Sequence, residues 1–299
     1  MRVIILLNDA AGGGRTSEIS TFEGRFADAG FRAEIRTAQG EALRSAAVRA
    51  AAERPDILVA AGGDGTISAV AEAVVGSTVI LGVLPIGTLN HFAKDLGIVP
   101  NLQSAMKVIA GGHVQNLDVG QVNGHSFINN SSIGLYPQMV HHRDHQQLRL
   151  GRGKWAAMFF AALAIFLRYP LIQIKLETDT RSYECVTPFV FIGNNRYETH
   201  LLALGARPRL DAGELSVYFA NRTGRFGLFR LMLRALIGRL NQARDFEILM
   251  AREVRIETPR PSIHVALDGE VFTLTPPLHY RILPGALKVL TPAPHATVP

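Results

Sequence analysis

Gly62-Gly63-Asp64-Gly65-Thr66 decides how this chain is read. The quintet follows an apolar run, Asp56-Ile57-Leu58-Val59-Ala60-Ala61, with the composition of a buried strand, and precedes Ile67 to Val75, which has helical composition. A glycine-rich turn between strand and helix lets the backbone come close to a phosphate and aims free N–H groups at it. Asp64 sharpens the reading. A carboxylate beside phosphates is repulsive unless a cation lies between them, so the pattern predicts Mg²⁺ together with a nucleotide. The plainer competitor is a tight turn in which Asp64 caps the following helix.

On both sides of the quintet, strand-like and helix-like segments alternate. Arg2 to Leu7 reads as a strand that ends in Asn8-Asp9-Ala10-Ala11-Gly12-Gly13-Gly14, with a helix expected over Thr16 to Ala29. Phe31 to Arg36 reads as a strand, Glu41 to Glu53 as a helix and Val79 to Leu84 as a further strand. This alternation predicts a parallel sheet with right-handed crossovers, and ligands in such sheets bind outside the carboxyl ends of the strands. Asn8 to Gly14, Thr37, Gly62 to Thr66 and Pro85 to Asn90 all fall at such ends. In the last of these, Pro85-Ile86-Gly87-Thr88-Leu89-Asn90, Thr88 and Asn90 offer neutral hydrogen bonds to a nucleotide or, more simply, cap the next helix.

From Val119 the texture changes. Val119 to Ile128 reads as a hairpin with Asn123-Gly124 at its tip, and strand-like runs recur at Ile172–Leu176, Phe189–Ile192, Leu215–Phe219, Val254–Glu257, Ile263–Leu267 and Val271–Leu274. The fold expected is α/β: a parallel-sheet nucleotide domain over residues 1–122 and a β-rich, antiparallel sandwich domain over 123–299, whose last residues pack back on the first, with a cleft between the two.

Bulk properties narrow the function. The 299 residues are 47% hydrophobic, ample for packed cores, and the single Cys185 excludes an internal disulfide or a CxxC metal site and fits a reducing cytosol. Met1 to Leu7 is too short for a signal-peptide core. Trp155 to Leu167 would form a helix roughly 20 Å long against about 30 Å of bilayer hydrocarbon, so it does not span a membrane. A net charge of +6 and a pI near 9.8 predict an anionic partner. Nucleic acid ranks last, since no helix-turn-helix, zinc-finger spacing or RNA-binding aromatic motif is present. His141, His142 and His145 read as a solvated loop rather than a ligand cluster.

Taken together, the glycine-rich turn after the first strand, the GGDGT quintet, the PxGTxN segment some twenty residues later, Phe127-Ile128-Asn129-Asn130-Ser131-Ser132-Ile133-Gly134 and Asp268-Gly269-Glu270 resemble the diacylglycerol kinase catalytic family, which includes sphingosine and ceramide kinases and is related to NAD kinases in its nucleotide domain. The resemblance spans residues 3 to 290. It implies ATP-dependent phosphorylation of a lipid hydroxyl, with diacylglycerol the first substrate to test. It implies an ATP site lined by Asn8, Gly12, Thr37, Gly62, Gly63, Asp64, Gly65, Thr66, Gly87, Thr88 and Asn90, with Asp64 organising Mg²⁺ and Glu270 taking the proton from the lipid hydroxyl. Read locally, Asp268-Gly269 is a bare hairpin turn.

Three departures from the family pattern bear on this. Asp9 stands where the family usually has proline, His91 where many relatives carry an acid, and Ala212, in Arg209-Leu210-Asp211-Ala212-Gly213-Glu214, where some bacterial relatives place an acid that binds a structural Mg²⁺. Trp155 to Leu167 and Phe226 to Leu240 carry basic neighbours, and fit either core packing or peripheral contact with an anionic membrane, here the cytoplasmic surface of the inner membrane. A homodimer is left open. Two rival readings stand beside the lipid kinase: a kinase for a soluble substrate such as NAD, and a lipid- or nucleotide-binding protein with weak catalysis.

Overall fold

The computed structural model describes residues 1–8, 24, 26–27, 31–134, 171–197, 207–219 and 247–293. In the first half, strands β1 (Arg2–Asn8), β2 (Arg32–Ala38), β3 (Ile57–Gly62) and β4 (Ile80–Pro85) lie side by side in the order β2-β1-β3-β4, all parallel. Helices α1 (Glu41–Ala52), α2 (Asp64–Val74), α3 (His91–Asp95) and α4 (Leu102–Gly111) accompany them. Every residue of β3 is buried, as expected for a central parallel strand covered on both faces, whereas β2 at the edge is partly exposed along its length. Asn101 closes the start of α4 by accepting the Ser104 N–H at 2.8 Å, and Gly112 ends it in the left-handed conformation. The helix expected over 16–29 lies outside the described residues except for Gly24, Phe26 and Ala27; Phe26 is buried and meets Phe31 edge to face at 6.2 Å.

The second half is antiparallel. The hairpin read from Asn123-Gly124 is present as β5 (Val114–Val122) and β6 (His125–Phe127), with both turn residues at positive φ as a type I′ turn requires. Strands β7 (Asn130–Gly134), β8 (Ile172–Thr178), β9 (Ser182–Thr187), β10 (Phe189–Asn194), β11 (Leu215–Phe219), β12 (Glu247–Ala251), β13 (Glu253–Glu257), β14 (Ile263–Leu267), β15 (Glu270–Leu274) and β16 (Leu278–Leu290) complete it. A six-stranded sheet, β12-β11-β10-β7-β14-β15, faces β16-β13-β8-β9 across a core built from alternate residues. Val190, Ile192, Val217 and Val265 come from one side, and Ile174, Leu176, Ile256 and Tyr280 from the other. The Tyr280 hydroxyl meets Ser131 Oγ at 3.0 Å inside this core, which satisfies both polar atoms. The fold is therefore an α/β half joined to a β sandwich.

One strand ties the halves together. β16 pairs with β13 through Leu278 to Arg281, then continues until Val289 pairs in parallel with Leu81 of β4, so that a ten-stranded sheet runs through both cores. Its ladder with β5 is interrupted between Leu283 and Leu287. Asp118 of β5 fills that interruption: Oδ1 accepts the Gly285 N–H at 2.9 Å and Oδ2 accepts the Gly213 N–H at 2.6 Å. The carboxylate, itself buried, thereby takes up two backbone donors that the interrupted ladder leaves without strand partners. The expected helices at Trp155–Leu167 and Phe226–Leu240 and the histidines at 141–145 lie outside the described residues. No helix among the described residues is long and apolar enough to cross a membrane.

Candidate active site

The GGDGT quintet forms the junction of β3 and α2, but its division differs from the sequence reading. Gly62 ends the strand, Gly63 is the N-cap, and Asp64, Gly65 and Thr66 already belong to the helix. Helical composition begins visibly only at Ile67, which explains the later start expected from sequence. Asp64 is therefore not the cap. Its Oδ1 instead reaches across to the Phe92 N–H of α3 at 3.4 Å. Gly63 has no side chain to cap with, and among the described residues no side chain caps the helix, so the first-turn N–H groups of this eleven-residue helix are available to an anion.

The second loop packs directly on the first. A Cβ on Gly87 would lie 2.4 Å from Gly63 Cα, so the two backbones touch where only glycine fits. Asn90, at φ +49°, turns the chain into α3; its Nδ2 donates to Gly87 O at 2.8 Å, while its buried Oδ1 has no partner among the described residues. A buried acceptor left open beside a helix N-terminus suits a ligand that brings its own hydrogen. Thr88 is exposed at the rim of the same loop.

Asn8 closes β1 and donates from Nδ2 to the Thr66 hydroxyl at 2.9 Å, which brings the first strand's end to the same place. Gly62 has a packing role rather than a ligand-facing one, because a Cβ there would lie 2.3 Å from Thr66 Oγ1. Thr37 sits exposed near the end of β2, in register with Leu7. Gly12 and Asp9 lie outside the described residues.

From the second half, the β14–β15 turn completes the site. Asp268 and Gly269 both have positive φ, so the turn expected from Asp-Gly is real, and it delivers Glu270 to the start of α2. A side-chain carbon on Gly65 would stand 4.0 Å from Glu270 Oε1. Glu270 is largely exposed and is held by Arg44 of α1, whose Nε lies 3.1 Å from Oε2. Arg44 also pairs with Glu72 of α2 and lies over the Phe272 ring at 5.3 Å. Burial opposes the Arg44 charge, yet the two carboxylates outweigh it and raise the guanidinium above its ordinary value.

Asp268, two residues earlier, has a different task. Its oxygens accept from Ser68 Oγ at 2.9 Å and from the N–H groups of Ile128, Asn129 and Asn130 at 2.8, 2.8 and 3.0 Å. Burial pushes this carboxyl above the usual carboxylate range, against the pull of all four donors. The carboxylate thereby fixes the Glu270 turn to α2 of the first half. Ser68, Arg44 and Glu72 were not legible in advance: none lies in a motif, and a helix rich in Ala and Arg gives no sign of which arginine faces inward.

Two family models divide the chain between them. Residues 2–122 match the diacylglycerol kinase catalytic domain and residues 131–291 match the YegS C-terminal NAD kinase beta sandwich-like domain. The chain belongs to the diacylglycerol kinase family. An uncharacterized Synechocystis protein is 27% identical to this family member over 245 residues, 80% of this chain and 56% of its own length. A diacylglycerol kinase of Staphylococcus aureus is 26% identical over 226 residues, 75% of this chain and 71% of its own. The chain thus spans little more than half of the first relative. The solved structure of a diacylglycerol kinase from Bacillus anthracis matches with a TM-score of 0.69 at 21% identity, covering 97% of both chains. A second structure from the same organism reaches 0.73 at 24%. At these identities the structural likeness concerns the fold.

Of the family departures, His91 is the exposed first residue of α3, and the 209–214 loop directs its groups inward or to each other. Asp211 pairs with Arg209 at 3.0 Å, and the Ala212 N–H donates to Asn195 Oδ1 at 2.9 Å. Among the described residues no group of three His, Cys, Asp or Glu side chains is gathered as a metal site would need. Mg²⁺ bound through one carboxylate and substrate phosphates needs no such group, so Asp64 fits that mode.

Proposed function

We propose that this chain transfers the γ-phosphoryl group of ATP to a hydroxyl of a membrane lipid, diacylglycerol or a close relative. The observation that carries the reading is the meeting of Glu270 with the first turn of α2, in a member of the diacylglycerol kinase family. The free N–H groups of that turn and the open Asn90 Oδ1 bind and orient the nucleotide. Asp64 and the phosphates would hold Mg²⁺, which neutralises charge on the transferred group. Glu270, presented at the cleft, accepts the proton of the lipid hydroxyl as its oxygen bonds to the γ-phosphorus and the bond to the ADP oxygen breaks. Arg44 keeps the Glu270 carboxylate turned toward the site. The net charge of +6 supports approach to an anionic bilayer surface.

The test is transfer of labelled γ-phosphate from ATP and Mg²⁺ to a panel of lipids in mixed micelles, with NAD as the soluble acceptor. A labelled lipid is the expected result and its identity names the substrate. Label on NAD alone would replace the lipid by a soluble acceptor, and no transfer despite ATP binding would leave a binding role. Glu270→Gln should lower kcat by roughly 10²–10⁴-fold with ATP affinity nearly intact, and Asp64→Ala should abolish turnover. Wild-type kcat in Glu270→Gln would remove Glu270 from the role of base.

A further inference from the structure

The segment Ile128-Asn129-Asn130 is gripped from two sides by buried charged groups, one of which, Arg207, lies in no motif. Asp268 takes its three N–H groups, as described above. Arg207 takes its acceptors: one terminal nitrogen donates to Ile128 O at 2.6 Å and the other to Asn129 Oδ1 at 2.8 Å. The same guanidinium pairs with Asp95, the last residue of α3, at 2.7 and 2.8 Å, and donates to Asn194 O at 3.2 Å. The Arg207 side chain is 0% exposed and that of Asp95 10%. Tyr197 stacks against the guanidinium at 5.5 Å and donates its hydroxyl to Asn129 O at 2.9 Å; burial pushes that phenol up to about 12, which keeps it a donor. Asn194 Nδ2 closes the cluster on Ile128 O at 2.9 Å.

This cluster connects both nucleotide loops to the second half. Asp95 ends the helix that follows the PxGTxN loop, and Ser68, bound to Asp268, lies on the helix that follows GGDGT. Burying an ion pair is a poor way to gain stability, since apolar residues of equal volume serve as well. A planar fork of five donors is, however, a good way to fix direction. We infer that Arg207 is a positioning residue: through Asp95 on one side and residues 128–130 and Asp268 on the other, it sets the α3 loop in register with the turn that presents Glu270. The inference rests on the kinase reading of that site. It assigns a role in turnover to a side chain that touches neither nucleotide nor lipid.

Arg207→Lys keeps the charge and loses the fork, so it separates positioning from charge balance. We would measure kcat and KM for ATP and lipid, the ATP dissociation constant, and thermal melting, in the wild-type and Glu270→Gln backgrounds. The expected result is a kcat lowered roughly ten- to a hundredfold, the scale of a small misplacement of reacting groups, with ATP affinity within about threefold and cooperative melting retained. In the Glu270→Gln background the same change should cost less than about twofold further, because the carboxylate it positions is already gone. Wild-type kcat in Arg207→Lys, or equal losses in both backgrounds, would overturn the inference. If Arg207→Lys does not melt cooperatively, Ser68→Ala, on the far side of the same segment, is read by the same criteria with a roughly threefold loss expected. Undiminished turnover in Glu270→Gln defeats the base assignment whatever Arg207 does, whereas a dead Glu270→Gln beside an unaffected Arg207→Lys defeats this inference alone.

Discussion

The loops that follow β3 and β4 each carry a Gly-Thr pair, Gly65-Thr66 and Gly87-Thr88, and are built differently. The β3–α2 loop runs straight into an eleven-residue helix, with extended Gly63 as its cap and Asp64 as its first residue. The β4–α3 loop makes a left-handed turn at Asn90 and ends in a helix of five residues. The first has the long helix, whose aligned peptides favour an anion at the N-terminus. The second has little helix to offer, and contributes side chains and a backbone surface that presses on the first. On the proposed function, one loop is the binding element and the other its template. Their contact point, Gly63 against Gly87, is where the comparison can be broken.

Alanine at these two positions should therefore have unequal effects. A Cβ on Gly87 would meet Gly63 Cα at 2.4 Å, Asn90 Oδ1 at 2.9 Å and Gly63 N at 3.1 Å, mostly backbone that cannot step aside. Among the described residues, a Cβ on Gly63 would meet only Gly87 Cα, at an ordinary 3.5 Å. Gly87→Ala should thus cost about 1–3 kcal/mol through overpacking and weaken ATP binding by pushing the loops apart. Gly63→Ala should melt close to wild type. Calorimetry and ATP titration of the pair provide the check. Equal losses in both variants would mean that the loops do not template one another.

How much of this was legible before the structure depends on the kind of information each feature carries. β3 and the Asn123-Gly124 hairpin were legible because burial on both faces and a type I′ turn each demand residues that leave a local trace. The meeting of Gly65 with Glu270 was reachable only through the family resemblance, since the two are joined by no local pattern. Asp268 shows the limit well. Locally it is the first residue of a hairpin turn, and that reading is correct, yet its carboxylate also binds residues 128–130 of its own half and Ser68 of the other, contacts made only in the tertiary fold. Arg44, Arg207 and Asp118 carry no local signal at all, because what defines each is a partner far along the chain. β9, β12 and β16 were missed as strands, although Leu278 to Ile282 of β16 alternates buried and exposed residues, whereas β7 lies in the Phe127–Gly134 segment that the family resemblance singled out.

Gly65 sharpens the comparison from the other direction. It lies in the first turn of α2, at a φ any residue adopts, and among the described residues outside the helix only Glu270 Oε1, at 4.0 Å, stands near its missing side chain. Helix propensity alone favours alanine over glycine by up to about 1 kcal/mol. Gly65→Ala should therefore melt no lower than wild type while turnover falls about tenfold, because the added methyl occupies the space through which the reacting groups approach. Measuring kcat/KM and melting temperature on one preparation separates the two effects. A variant both stable and fully active would show that nothing comes close to the backbone there.

The smallest effect is expected at Asn8. Its Nδ2 bond to Thr66 Oγ1 at 2.9 Å ties the end of β1 to the first turn of α2, and Thr66 is 2% exposed, packed so tightly over Gly62 that its hydroxyl has little freedom to find a new partner. Asn8→Ala removes that donor, and a part-buried neutral hydrogen bond contributes about 0.5–1.5 kcal/mol. The variant should melt slightly lower and bind ATP a few-fold more weakly, without the collapse of kcat expected of Glu270→Gln. Thr66→Val removes the same bond from its other end while keeping the side chain's shape over Gly62. Combining the two should therefore cost no more than the larger single change, since partners in one bond are not additive. Full additivity would show that Asn8 acts on the site through contacts other than Thr66.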